Sequence, residues 1–414
     1  MADDGSLKYN EDQNLTPSQQ LQAVDNIGLT DPTIAKFLPF PFVTLEMYGG
    51  GTTKTAAENL AALTNAIATK KKIVLGRGVY PINGATFTLT DPDDIIIEGQ
   101  GRNTSLFSFQ TDNDAGLIFI FNMSSVENWW GDAVTCRIEN MGFRGNGATS
   151  KGLDVQVTST TGNIRVERVF RNISFSGRAS GEYLATGLKI TNGSYFIAES
   201  IFFRGDGAHG TAFNLAGELD SLDNSISKLF ASECASALVV NGKIEGLTIS
   251  DGRFVNVDNG IFVSPYLSAG EAAQPWLNVT NTHIAARSRG IYCMDITQVQ
   301  LIGNLIYLLS DGAIGIDMQR GGSGVGYGLH QIIGNQVFSQ ANANTSTICI
   351  RFSSGSTTGH DHSVCNDNIM VNANIGIQTF ATSNSISGQN NRSTGVATPL
   401  NDNGSNTNLI VLSS

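Results

Sequence analysis

Large apolar residues recur along this chain three positions after a small polar one, and the phrase returns at intervals of 23 to 33 residues. The polar member stands at Asn140, Asn172, Ser200, Ser227, Asp251, Asn281, Asn304, Asn335, Asn368 and Asn391. Its partner stands at Phe143, Phe175, Phe203, Phe230, Phe254, Ile284, Tyr307, Phe338, Val371 and Thr394. Within several units a glycine then leads an alternating segment, as in Gly152-Leu-Asp-Val, Gly187-Leu-Lys-Ile, Gly260-Ile-Phe-Val, Gly290-Ile-Tyr-Cys and Gly376-Ile-Gln-Thr. Period-two alternation after a glycine predicts a short strand leaving a turn. Units of this length cannot bury an apolar face alone, so they must stack on one another. The predicted fold class is all-β, a parallel β-helix solenoid. Each Phe would lie on its counterpart about 4.8 Å away, and the asparagines would form an amide ladder along the turn.

A solenoid lengthens by adding rungs, so 414 residues predict one long β-helix and not two or three globules. The 46 glycines and 9 prolines fit a turn in nearly every rung and few ladder N–H groups to spare. The net charge of −11 argues against nucleic acid or an anionic membrane as partner. It would also repel an acidic glycan, unless a local basic patch such as Arg144 and Arg204 intervenes. Cys136, Cys234, Cys293, Cys349 and Cys365 are odd in number and mostly lie in apolar strand text, which reads as buried hydrophobes and not as a disulfide framework. Neither a transmembrane run nor a signal peptide is evident, so the expectation is synthesis and folding in a cytoplasm.

Near the N-terminus, Thr16, Pro17, Gln19 and Gly28 supply the start and stop signals of a short helix. Its thin stripe of Leu21, Val24 and Ile27 predicts packing against copies of itself. Residues 15–28 resemble a segment of bacteriophage tail fibre and tailspike proteins, in which short helices meet around a threefold axis. The following text, Tyr48-Gly-Gly-Gly-Thr-Thr-Lys-Thr-Ala-Ala-Glu-Asn-Leu-Ala-Ala-Leu-Thr-Asn-Ala-Ile67, resembles the opening motif of pectate-lyase-like right-handed β-helices, many tailspikes among them. There a glycine-rich turn precedes a capping helix. Thr55 and Glu58 form a capping box, and Leu60, Leu63 and Ile67 would cover the open end of the first rung. Residues 72–80 and 95–101 resemble the first strand segments of that superfamily. Gly50, Gly51 and Lys54 stand where its members commonly carry aspartates, so that turn transfers no activity. The resemblance implies a homotrimer, with residues 1–45 as the segment that trimerises and attaches to a phage tail or baseplate protein. It also implies a β-helix over 46–400, a terminal strand over 401–414, and a place in the virion tail.

Glycoside hydrolysis uses two carboxylates, about 5 Å apart for retention or roughly 6.5–9.5 Å for inversion, and neighbouring rungs supply such separations. Aligning the repeats brings Asp206, Glu233 and Asp258 to similar places on three rungs, where crowding would raise one pKa. Gly-Asp-Gly and Asp-Asn-Gly around Asp206 and Asp258 are equally ordinary turn text. Glu218, Asp220 and Asp223 form a rival acidic cluster.

Outward positions of the glycine-led strand run Asp154, Lys189, Asn214, Val239, Phe262 and Tyr292. The last two make either a sugar platform or a trimer contact. Trp129, Trp130, Tyr266 and Trp276, with Arg204, are further glycan-binding candidates. No cofactor or metal is called for: His360-Asp-His362 lacks a third ligand, and residues 321–328 read as a glycine-rich loop. The expected function is a phage tailspike that binds and depolymerises a bacterial surface polysaccharide, by hydrolysis. The alternatives are a receptor-binding or structural tail protein without catalysis, and a polysaccharide lyase.

Overall fold

The computed structural model describes residues 41–90, 94–123, 134–159, 166–217, 221–264, 274–320, 328–340, 346–354, 360, 362–380, 385–404 and 407–413. The expected N-terminal helix, Trp129, Trp130, Tyr266, Glu218 and Asp220 lie outside these residues.

The chain coils into a parallel β-helix. Ile95–Glu98, Ser105–Phe109 and Leu117–Met123 make one rung, paired in parallel with Lys72–Val74, Gly78–Ile82 and Ala85–Thr90 of the rung before. Three parallel sheets therefore run along the rod. From Val134–Gly145 onward a single strand often continues around the corner between the first and second sheets. The last full rung holds Ile386–Thr394 and Thr398–Asp402, and Asn408–Ser413 stacks in parallel on Ile386–Thr394 as the start of a further one. No helix among the described residues is long and apolar enough to cross a membrane.

The interior is a continuous apolar column. Phe107, Phe143 and Phe175 stack through three rungs at centroid distances of 6.1 and 5.3 Å. Burying each such ring contributes roughly 1.5–3 kcal/mol. All five cysteines are buried and unbridged, as expected, and burial pushes the thiols of Cys136, Cys234, Cys349 and Cys365 up to about 12. Where the third sheet begins, glycines stack so closely that a Cβ at Gly290 would stand 2.5 Å from the Gly315 carbonyl.

The start of the solenoid is closed by a helix, Ala56–Ile67. Thr55 Oγ1 accepts from Glu58 N at 3.2 Å, and Glu58 Oε2 accepts from Thr55 N at 2.8 Å, completing the capping box. The fully buried stripe is rotated from the expected one. It comprises Asn59, Ala62, Leu63 and Ala66, while Leu60 and Ile67 are only partly buried against the core. Asn59 is inside because its amide staples the preceding turn, bonding Gly51 N and O and Pro81 O at 2.7, 3.0 and 2.8 Å. Gly50 is required beside it, since a Cβ there would meet that of Ala62 at 2.9 Å.

At the corner between the first and second sheets, one residue per rung adopts the left-handed conformation. These residues are Asn140, Asn172, Ser200, Lys228, Asp251, Asn281, Gly303, Gly334, Asp367 and Asn390, with φ between 51° and 67°. The interior side chain always follows three positions later. Phe143, Phe175, Phe203, Phe254 and Ile284 are accordingly buried. Ser227, Asn304, Asn335, Asn368 and Asn391 each sit one residue off this left-handed position, so the apolar partners expected for them are corrected by one place. Ala231, Ile306, Val337 and Met370 point inward, whereas Phe230, Tyr307, Phe338 and Val371 face outward. The last unit places Ser393 inside and Thr394 outside.

Candidate functional site

A groove of about 570 Å³ follows the corner between the second and third sheets. Its floor begins with an outward column of the second sheet, in which Arg144, Ser176 and Arg204 occupy paired positions on three successive rungs. The strand Val166–Gly177 is followed by a bulging turn, and Arg178 fixes that turn. Its guanidinium bonds Glu182 at 3.2 Å and the carbonyls of Phe109 and Gln110 at 3.3 and 2.7 Å, and it pairs with Asp112. Glu182 also accepts from Ala179 N at 3.1 Å, so Arg178 and Glu182 hold the groove wall.

On the next rung the segment after Arg204 presents Asp206. Its Oδ1 accepts the N–H groups of Ala208 and His209 at 3.1 and 2.8 Å, and its Oδ2 lies 2.8 Å from His209 Nδ1. Partial burial pushes the Asp206 carboxyl up, but the hydrogen bonds from His209 and Ala208 together outweigh it and leave it below the usual range. The raised carboxyl expected from crowding is thus not found at Asp206. The His209 ring stacks on Tyr183 at 4.7 Å.

One rung further, Glu233 adopts φ 53° and faces the same groove, its Oε1 accepting from Asn256 Nδ2 at 2.9 Å. The rungs are tied there by Gly207 N donating to the Glu233 carbonyl at 2.8 Å.

Asp258 is placed differently. Val257 pairs with Cys234, so the residue aligned with Glu233 is Asn256, and Asp258 is absent from the groove lining. Its Oδ1 accepts from Arg287 Nε at 2.7 Å, and Arg287 Nη2 donates to the Gly207 carbonyl at 2.6 Å. Asp258 thereby steadies the turn that carries Asp206. Of the rival cluster, Asp223 occupies a left-handed turn position (φ 48°) on the first sheet, beside Gly246.

The outward run Asp154, Lys189, Asn214, Val239, Phe262 and Tyr292 is found pair by pair in the register of the third sheet, and continues through Asp317 and Arg351. Phe262 and Tyr292 stack at 4.6 Å, but Tyr292 is only 5% exposed. The Arg289 guanidinium lies 4.4 Å over its ring and its hydroxyl donates to Gln319 Oε1 at 2.8 Å, which leaves no ring face for a sugar. Trp276 is 42% exposed, with its indole over Gly246 on the first sheet, at a different corner from the groove. His360 is interior, bonding the Ser353 carbonyl at 2.8 Å and lying 3.4 Å from His330 Nε2, while His362 is exposed. The two histidines of that motif diverge.

Tyr183, His209 and Arg287 were not singled out from the sequence. The spacing Asp206-Gly-Ala-His209 was the available signal for the second, whereas Tyr183 and Arg287 meet the site only across rungs.

No family model matches the sequence, and no curated protein matches it. Several solved structures follow a similar course. The pre-mature gene product 12 of bacteriophage phi29 superposes with a TM-score of 0.55 at 13% identity, covering 91% of this chain and 54% of that one. The A-module of the mannuronan C-5 epimerase AlgE6 of Azotobacter vinelandii gives 0.49 at 13% identity, over 90% and 99% of the two chains. Tailspike protein 3 of bacteriophage CBA120 gives 0.43 at 15% identity, over 94% and 67%. This chain thus spans about half the length of the phi29 protein, and what the two share at 13% identity is the parallel β-helix fold.

Proposed function

We propose that this chain is a bacteriophage tailspike component that binds a bacterial surface polysaccharide along the corner groove and cleaves it by hydrolysis. The observation that carries this reading is that Asp206 and Glu233, on successive rungs, face one open groove. Asp206, held ionised by His209 and by backbone N–H groups, has the character of the base that draws a proton from water. Glu233, oriented by Asn256, is the acid that protonates the departing glycosidic oxygen. Asp258 and Arg287 position the Gly207 turn. The fold shared with a bacteriophage protein and the fibre-like segment at residues 15–28 support a place in the virion, as a homotrimer attached through residues 1–45.

The test is release of reducing ends from purified capsule or lipopolysaccharide O-chain. Glu233→Gln and Asp206→Asn are each expected to lower turnover about 10²–10⁴-fold with little change in binding. Undiminished turnover in both variants would remove these residues from catalysis. Binding without any release would reduce the protein to a receptor-binding spike. A second reading, eliminative cleavage, draws support from Arg144 and Arg204 in the same groove as the Asp206–His209 pair, because a lyase needs a cation beside its base. An unsaturated, ultraviolet-absorbing product would identify it.

A further inference from the structure

We infer that the groove selects a carboxylate-bearing polysaccharide, with acidic sugars seated on Arg144 and Arg204; this rests on the glycan-binding reading above. The net charge of −11 gives the chain more carboxylates than cations, and several surface arginines pair with them. Arg171 bridges Glu139 and Glu199, Arg287 pairs with Asp258, and Arg351 with Asp317. The guanidinium groups of Arg144 and Arg204 make no hydrogen bond or ion pair with a described residue; Arg77, Arg253 and Arg392 share that state, but only Arg144 and Arg204 line the groove. A guanidinium left open in a concave, polar site presents the planar fork that carboxylates occupy in two-point fashion.

Their spacing narrows the ligand further. Arg144 and Arg204 are separated by the rung of Ser176, so they stand about 9.5 Å apart along the rod, twice the spacing of neighbouring strands. One pyranose ring with its bridging oxygen covers about one such spacing. A glycan lying along the groove would therefore meet the two cations with every second sugar. The sugar between them faces the Ser176 hydroxyl, and the chain continues past the ionised Asp206 toward Glu233, where Asp206 would repel a further acidic group. The occupant this describes carries its carboxylates on alternate sugars.

The experiment uses the full chain and purified bacterial capsular polysaccharides of known repeat: neutral, uniformly uronate, and uronate on alternate sugars, the last also in carboxyl-reduced form. Binding is expected to be tightest for the alternating polymer and lost on carboxyl reduction. Arg144→Gln and Arg204→Gln should each weaken it about 10–100-fold and flatten its decline with salt. Arg253→Gln, outside the groove, should leave it intact. Equal affinity for neutral and acidic polymers, or wild-type binding by both groove variants, would overturn the inference while leaving a glycan groove standing. Failure to bind any polysaccharide would overturn the glycan reading itself.

Discussion

Two stretches of the rod turn the same corner with different chemistry. From Asn140 to Asn281 the polar residue of the repeat mostly takes the left-handed position, with its side chain at the surface. The next residue is interior and, in the first four of these rungs, apolar: Met141, Ile173, Ile201 and Leu229. From Gly303 onward the left-handed position passes to Gly303, Gly334, Asp367 and Asn390, and the interior position behind it to Asn304, Asn335, Asn368 and Asn391. Each central asparagine there is saturated. Asn335 Nδ2 donates to Leu301 O at 2.8 Å and to Asn368 Oδ1 at 3.0 Å, and its Oδ1 accepts from the backbone and side chain of Asn304 at 3.1 and 3.0 Å. An asparagine outside relieves backbone strain at one residue, whereas an asparagine inside links three rungs.

The comparison can be broken most directly by making one substitution in both places. Asn335→Gly is expected to cost about 2–4 kcal/mol in denaturant unfolding, because it strands partners above and below it in the interior. Asn172→Gly keeps the favoured backbone and loses only half-exposed hydrogen bonds to Arg102 and Asn140, so it should stay within about 1 kcal/mol. Equal losses would deny the ladder its separate role.

The later stretch also holds a buried histidine pair. Burial pushes His360 down from 6.5 to about 4, its bond to Ser353 only partly opposing this, and burial together with His360 and Arg320 holds His330 well below its ordinary value. The unfolded chain binds protons below 6.5 that the native pair refuses, so thermal stability should be level above that pH and fall as it drops toward 4. His360→Gln should flatten this slope. A slope unchanged by the variant would assign it to other groups.

The smallest effect is expected in the earlier stretch, where Lys228 holds φ 54° at a position otherwise given to Asn, Ser, Asp or Gly. Lys228→Asn should raise stability by about 0.5–1 kcal/mol in the same denaturation assay, since the ion pair it gives up with Glu199 is exposed and worth little. A loss of stability would mean that the corner tolerates lysine without strain.

The repeat, the capping box of Thr55 and Glu58, and the outward run from Asp154 to Tyr292 were legible because each depends on local spacing: alternation fixes faces, and caps act within one turn. The off-by-one partners after Gly303 were not legible, because Asn serves equally as a left-handed turn residue and as an interior ladder residue. Only the neighbouring rung decides which. Arg168 is the sharpest case. It sits wholly inside, aligned with Cys136 and Phe196, with burial pushing it down to about 10 and one nitrogen bonded to Ser194 O at 3.0 Å. Nothing in its strand marks that position as able to accept a charge.

The sequence by itself determined that this chain coils in parallel rungs, where the rod is capped, and which faces its strands present, since those follow from periodicity along one chain. Repeat alignment already set Asp206 near Glu233 and suggested Arg144 and Arg204 as a basic patch; the tertiary structure alone decided that the two groups share one groove and that Asp258 is drawn off by Arg287. Those meetings occur between rungs, tens of residues apart in the chain, where register and not sequence spacing sets which side chains face one another.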